Sequence, residues 1–326
     1  MRADKMIKQT PVRMLLTGYP GSGKTACLAA LANAGFKLRV LDYDGNPEAL
    51  LLYTKPECLQ NIDIVTLEDN LINRGDHMGV SGLPAAFTRG VALMDRWRYE
   101  DSDGEPELDK KGALTGKRFT DLGKSDTWGL DTVVVCDGLT GLTAASLNRA
   151  QALMNKTPRN RTRALWGLAG SEQLSFIKKL THADNTHHTI VISHLKLIGP
   201  RDIEEDDEDE TVKLKKRLIS LVPTRLYPTA VGQDLAKTVA GEFPVHVNLE
   251  VEGGAMGRPG KRLFSIHPRA DMDLKLPVRD IARLGKLGVE DGMRQLFEAM
   301  GHPAPNGTPA LRVEGEQATE PASVNA

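Results

Sequence analysis

A short segment near the N-terminus has the residue types and the spacing to bind phosphate. From Gly18 to Thr25 it reads Gly-Tyr-Pro-Gly-Ser-Gly-Lys-Thr, which matches the pattern G-x-x-x-x-G-K-[ST]. In such a loop the glycines let backbone N–H groups point inward at an anion, the lysine reaches the β- and γ-phosphates, and the hydroxyl ligates Mg²⁺. This chemistry predicts that the following residues bind ATP: Gly18, Gly21, Ser22, Gly23, Lys24, Thr25 and Ala26.

The flanking residues supply the elements that must position this loop. The apolar run 12–16 precedes it and predicts a strand, and the Ala- and Leu-rich segment 26–32 follows it and predicts a helix. A glycine-rich turn with an exposed lysine is the alternative interpretation. A strand before the loop and a helix after it favour the phosphate site, because that is the context in which the motif works.

Acidic and polar residues stand where three further predicted strands end. Asp44 follows the strand 38–41 and could polarise a water facing the γ-phosphate, although an Asx turn closed by Gly45 is the alternative. Asp137 follows the β-branched run 132–135 and could hold Mg²⁺, with a helix cap as the alternative. His194 ends the strand 188–193, where a polar side chain could sense the γ-phosphate. Because ligands bind at the carboxyl ends of parallel strands, we expect these side chains to meet the phosphate loop.

Three basic segments could act on a second partner. The loop 155–163 contains four basic residues and no acid, and the segment 199–217 has an acidic first half and a basic second half. Both could contact a nucleic-acid backbone, or could be solvated surface. A predicted hairpin turn near residue 260 could carry basic side chains to the ATP of a neighbouring subunit, or could only make the turn soluble. The predicted DNA contacts are Lys156, Arg159, Arg161, Arg163, Lys213, Lys215, Lys216 and Arg217, and the predicted trans-acting residues are Arg258, Lys261 and Arg262.

The composition limits the possible partners and the compartment. The 326-residue chain has 42 basic and 43 acidic residues, so its formal net charge is −1 and any nucleic acid must be held by local basic patches. The three cysteines are scattered and form no C-x-x-C pair, which favours buried thiols in a reducing cytoplasm. Because no stretch is apolar enough to span a bilayer, we expect a cytoplasmic protein without a membrane partner.

The pattern of elements predicts one large domain with appendages. We expect an N-terminal extension over 1–11, an ATPase domain over 12–301 and a disordered tail over 302–326. Within the domain, 100–129 is predicted to be an irregular insertion and 199–217 a mobile charged loop.

The phosphate loop and the aspartates together resemble the RecA/Rad51-like ATPases, and most closely the AAA-domain, single-strand-annealing ATPases of phages. The resemblance covers residues 12–269. Asp44 matches the place of that family's catalytic acid, and Asp137 in Val-Val-Val-Cys-Asp-Gly-Leu-Thr matches its magnesium aspartate. The segment 192–199 looks like the switch strand that links the γ-phosphate to DNA, with His194 as its polar residue. Nucleotide kinases and G-proteins, by contrast, usually take their metal aspartate from the strand beside the loop.

The resemblance implies an α/β fold: a RecA-like P-loop NTPase core with a mostly parallel central sheet flanked by helices, and a C-terminal antiparallel hairpin. It implies a Mg²⁺-dependent, DNA-stimulated ATPase that binds single-stranded DNA and promotes annealing or recombination, encoded by a phage and acting in the host cytoplasm as a ring or filament. Two alternatives stay open. One is a nucleotide-switched assembly protein without DNA binding, and the other is a small-molecule kinase with a lid formed by Arg159, Arg161 and Arg163.

Overall fold

A computed structural model describes most of the chain. The described residues are 10–73, 78–109, 111–155, 162–198, 225–253, 260–267, 269, 271–277, 284 and 287–307. The strands are β1 (Arg13–Gly18), β2 (Lys37–Asp42), β3 (Ile62–Thr66), β4 (Leu71–Asn73), β5 (Met78–Val80), β6 (Arg98–Leu108), β7 (Leu114–Asp121), β8 (Thr132–Asp137), β9 (His188–Ile198), β10 (Arg225–Pro228), β11 (Val245–Glu252), β12 (Lys261–Ser265) and β13 (Leu287–Gly288). The α-helices are α1 (Lys24–Cys27), α2 (Ala29–Asn33), α3 (Glu48–Tyr53), α4 (Ala86–Asp95), α5 (Leu139–Leu153), α6 (Arg163–Leu180), α7 (Gly232–Val239) and α8 (Gly292–Ala299).

One large sheet organises these elements. In the described chain it has nine strands in the order β13-β12-β11-β1-β9-β8-β2-β3, with β10 paired to β9. The six strands from β11 to β3 are parallel, whereas β12 and β13 lie antiparallel at one end. A mostly parallel sheet flanked by helices is compatible with the RecA-like core that the resemblance implies.

Both faces of the sheet are buried, which explains the continuous apolar strands. In β8 all six residues are buried, as a run of valines predicts for a strand covered on both sides. One face packs Leu16, Ile192 and Val247 against α1, α2 and α8, and the other packs Leu15 and Val134 with residues of α4, α5 and α6. The carboxyl ends of the parallel strands therefore meet at one edge, and the phosphate loop lies there. Among the described helices, none is both long and apolar enough to cross a lipid bilayer.

The span 100–129, predicted to be irregular, instead contains most of an antiparallel ribbon. β6 and β7 pair from Arg98 opposite Asp121, with a register shift between Glu100 and Glu105. Most side chains of the ribbon are exposed. The sequence therefore has no alternation of apolar and polar residues that would identify these strands.

Residues 302–307, which were predicted to belong to a disordered tail, instead make contacts with the rest of the domain. His302 is buried, and its Nε2 lies 3.1 Å from the carbonyl oxygen of Thr10. The backbone N–H of Asn306 donates to Ala34 at 3.3 Å. These contacts could not be predicted, because the Pro- and Gly-rich sequence has no hydrophobic pattern. Residues 308–326 lie outside the described part of the chain.

A candidate nucleotide-binding site

The phosphate loop connects β1 to α1 and is closely packed against β11. A Cβ atom on Gly18 would lie 2.6 Å from the carbonyl oxygen of Leu249 and from Ser22 Oγ, so only glycine fits there. Inside the loop, the N–H of Ser22 donates to the carbonyl of Tyr19 at 3.2 Å. Ala26 is buried in α1, and Leu28 joins α1 to α2 with right-handed helical angles. The glycines thus form the tight strand-to-helix turn that the motif predicts.

Lys24 is buried and directed back across its own loop. Its Nζ donates to the carbonyl oxygens of Gly18 and Tyr19, both at 3.0 Å, and lies 3.3 Å from His194 Nδ1. Burial lowers the pKa of this ammonium group, while nearby Asp137 and Asp44 act to raise it. The lysine therefore sits among weak carbonyl partners that an anion in the loop could replace.

Thr25 and Asp137 form a pair although 112 residues separate them. The Thr25 hydroxyl donates to Asp137 Oδ2 at 2.9 Å. Burial raises the pKa of Asp137 to about 7, with Asp44 and Asp42 acting in the same direction and the Thr25 hydrogen bond opposing them. A divalent cation here would hold the carboxylate ionised, because an opposite charge favours the charged form.

Asp44 lies at the same carboxyl-end edge of the sheet because the side chain of Asp42 stabilises the turn that follows β2. The Asp42 carboxylate is buried and accepts the backbone N–H groups of Asp44 at 3.2 Å and of Gly45 at 2.8 Å. The side chain that accepts these turn hydrogen bonds is thus that of Asp42 and not that of Asp44, which turns towards Gly138 and His194. Burial raises the pKa of Asp44, while His194 opposes this shift.

His194 links the two sides of the site. β9 pairs with β1 so that His194 lies opposite Gly18. Its Nε2 is 3.9 Å from Asp44 Oδ2, and its Nδ1 faces Lys24. Burial and the adjacent ammonium group of Lys24 lower the pKa of this imidazole, while Asp44 opposes the shift. The histidine thus contacts both the lysine of the loop and the candidate catalytic acid.

The donors of this site fit a phosphate group and a magnesium ion. A threonine hydroxyl and an aspartate carboxylate are the hard oxygen ligands that Mg²⁺ prefers. Ser22 Oγ is buried and, within the described residues, has no hydrogen-bond partner, which is typical of a polar atom positioned for a ligand. Among the described residues, the hydrogen-bond partners of Lys24 Nζ are the carbonyls of its own loop and His194.

The structure brings together Lys24, Thr25, Asp44, Asp137 and His194. Sequence reasoning missed the part played by Asp42, although the series Asp-x-Asp-Gly after a strand is a signal for a turn that could have found it.

The other predicted contacts fall into two groups. Arg163 is exposed at the start of α6, Lys261 is exposed on β12, and Arg262 is exposed on the same strand with its side chain against the phosphate loop. The residues outside the described part of the chain are Lys156, Arg159, Arg161, Lys213, Lys215, Lys216, Arg217 and Arg258. The assignment of both groups to DNA or to a neighbouring subunit stays a prediction.

Comparisons with known proteins add little to this geometry. No family model matches the chain, and no curated protein matches it. Among solved structures, the chain is similar to the crystal structure of the flagellar accessory protein FlaH from Methanocaldococcus jannaschii, with 9% identity and a TM-score of 0.29 over 80% of this chain and 81% of that one.

Proposed function

We propose that the chain is a Mg²⁺-dependent ATPase. The observation that carries this proposal is the contact between Thr25 and Asp137, a 2.9 Å hydrogen bond that joins the phosphate loop to a distant strand end. A glycine-rich turn without a ligand needs no buried carboxylate beside its threonine. A nucleotide site would use one, because a carboxylate and a hydroxyl are the oxygen ligands that would hold the Mg²⁺ that accompanies the phosphates.

Each residue of the site has a separate role in the proposed hydrolysis. Lys24 exchanges the carbonyls of Gly18 and Tyr19 for the terminal phosphates and stabilises the charge that develops on them. Thr25 and Asp137 hold Mg²⁺, which when bound neutralises phosphate charge. Asp44 orients the attacking water and accepts its proton, and burial suits it to this task by raising its pKa. As water attacks, a new P–O bond forms at the γ-phosphorus and the bond to the β-phosphate oxygen breaks.

Strand order favours hydrolysis over the kinase alternative. β9 lies between β1 and β8, so Asp137 does not come from the strand beside the loop. This separation leaves a strand end, that of β9, between the loop and the metal ligand, and it carries His194 to the site. A kinase whose metal aspartate lies on the strand beside the loop has no strand end between the loop and that aspartate.

The finer proposal is that nucleotide state controls a single-stranded DNA site, as in annealing or recombination. It is supported by the continuity of β9 (His188–Ile198), which extends beyond His194 and pairs there with β10. A change in the contacts of His194 would move the backbone that leads directly into 199–224, where Lys213, Lys215, Lys216 and Arg217 lie in the sequence. The assembly-switch alternative shares the pocket but lacks DNA affinity.

The first experiment measures release of inorganic phosphate from ATP with and without Mg²⁺. Lys24→Ala should abolish turnover, whereas Arg89→Ala, which removes the same charge from an exposed position of α4, should keep it. Turnover that survives in Lys24→Ala would rule out this pocket. Phosphate that appears on a metabolite instead of in solution would favour the kinase.

The second experiment measures binding of labelled oligo-dT by fluorescence anisotropy, with and without ATP, at several salt concentrations. DNA binding that depends on ATP and weakens with salt supports the finer proposal. Replacing Lys213, Lys215, Lys216 and Arg217 together should weaken binding and flatten the salt slope. Nucleotide-dependent assembly without DNA affinity would favour the assembly switch.

A further inference from the structure

Arg262 lies against the phosphate loop of its own chain. β12 is antiparallel to β11, so it enters the sheet at the edge where the parallel strands end, with Arg262 opposite Val251. The Arg262 Cδ atom is 3.1 Å, and its Nε 3.6 Å, from the position that a Cβ would take on Gly23. Val289 Cγ2 lies 3.4 Å from the same point. The loop is thus bordered by an arginine from a part of the chain far away in sequence.

The guanidinium group of Arg262 is free to bind a ligand. Arg262 is exposed, and within the described residues it has no hydrogen-bond or ion-pair partner. Two described arginines near it in sequence are paired, by contrast: Arg269 with Glu250 and Asp271, and Arg294 with Asp291. A guanidinium offers five N–H donors in a planar fork that matches phosphate oxygens.

The charge balance of the site calls for another cation. Three carboxylates lie together at this edge: Asp42 is the register partner of Asp137 across β2 and β8, and the carboxylate of Asp44 lies against Gly138. The positive charge at the loop comes from Lys24, whose Nζ is bonded to two carbonyl oxygens. A triphosphate adds about four negative charges, and the single Mg²⁺ of the proposed function would offset about two of them, so the site would stay negative without a further cation.

We propose that Arg262 binds the phosphates of the nucleotide held in its own subunit. This inference rests on the proposed function, because it needs a nucleotide in the loop. The sequence offered two interpretations of Arg262, a charge that acts on a neighbouring subunit and a residue that makes the turn soluble. The proposal differs from both, because here the side chain acts on the nucleotide of its own subunit. Its stem packs on Gly23, which orders it at little further entropic cost, and its guanidinium donates to phosphate oxygens.

The test is calorimetric titration of two probes, AMP-PNP and inorganic tripolyphosphate, each with Mg²⁺. Arg262→Ala should bind both probes about 10- to 100-fold more weakly, the range for one charged hydrogen-bonding partner. Arg262→Lys should recover part of the loss, and Arg89→Ala should bind like the wild type. Urea unfolding of each variant checks that the loss comes from the site and not from the fold.

Three outcomes would overturn the proposal. Wild-type affinity in Arg262→Ala excludes the contact. A loss for AMP-PNP but not for tripolyphosphate assigns Arg262 to the base or ribose. Recovery of binding when Arg262→Ala is mixed with Lys24→Ala, which supplies Arg262 from a disabled subunit, places the contact in trans. If the wild type binds neither probe, the proposed nucleotide site itself fails, and this result is distinct from all three.

Discussion

Gly138→Ala should reduce ATP turnover by displacing Asp44. Gly138 precedes α5 with φ of 96°, a left-handed conformation that an L side chain rarely adopts. A Cβ added there would lie 2.9 Å from Asp44 Oδ2 and closer still to Oδ1 and Cγ. Two carboxylate oxygens and the carbon between them cannot give way together unless the side chain rotates. The substitution therefore displaces the Asp44 side chain from its position beside His194, although neither Asp44 nor His194 is mutated.

Two effects contribute to the expected magnitude. The left-handed backbone costs an alanine about 1–2 kcal/mol of unfolding free energy. The misplaced acid costs turnover, because a positioned general base contributes about 10²–10⁴-fold. A 100-fold loss in kcat corresponds to about 2.7 kcal/mol of transition-state stabilisation. The catalytic loss should therefore exceed what the modest loss of stability can explain.

The assay combines phosphate release with urea unfolding in a double-mutant cycle. Gly138→Ala and Asp44→Asn should each lower kcat, and together they should lower it no further than Asp44→Asn does. Gly82→Ala is the matched control, since Gly82 has φ of 73° and has nothing within 4 Å of an added Cβ. It should lose similar stability and keep full turnover. Independent, additive losses in the cycle, or full turnover in Gly138→Ala, would refute the role given to Asp44.

Three further predictions concern the metal ligand, a buried histidine and the ribbon. Thr25→Val should weaken Mg²⁺-dependent nucleotide binding about 10-fold or more, as measured by Mg²⁺ titration at fixed AMP-PNP. Burial lowers the pKa of His188 to about 3, so below about pH 6.5 the unfolded chain binds a proton at this residue and the folded chain does not. Between pH 7 and pH 5 the wild type should therefore lose about 2 kcal/mol more unfolding free energy than His188→Asn, as measured by urea unfolding. An equal loss in both proteins would contradict this. Asp63→Ala should cost about 1–3 kcal/mol in urea unfolding, because it leaves the buried indole N–H of Trp97 without the acceptor that it shares with Tyr99; an unchanged midpoint would show that water replaces the carboxylate.

The parts of the site that the sequence predicted are those fixed by local chemistry. Gly18 to Thr25 form one turn between a strand and a helix, so the motif contains nearly all the information that it needs. The placement of Asp137 and His194 needed one more step, since a residue at the carboxyl end of a buried parallel strand has only one edge to occupy. The valine-rich and isoleucine-rich strands before them made that step reliable.

Elements without a hydrophobic pattern could not be predicted in the same way. The ribbon of β6 and β7 is exposed on both faces, so its residues follow no period, and its strands are fixed by cross-strand pairs such as Arg98 opposite Asp121. The contact of His302 with Thr10 joins residues that are 292 positions apart in the sequence. Neither arrangement can be predicted from a local sequence pattern.

The position of Arg262 shows why strand order matters for function. The sequence predicted a hairpin with this arginine near its turn, and a hairpin alone does not determine which part of the protein the side chain contacts. The order β12-β11-β1 fixes that direction, because it sets β12 two strands away from the strand that feeds the phosphate loop. Side chains alternate between the faces of a strand, and Arg262 shares its face with Phe264, which packs in the core on the side of α1. Its stem therefore reaches Gly23 of the same chain, and a shift of one residue in the register of β12 would turn it away from the loop.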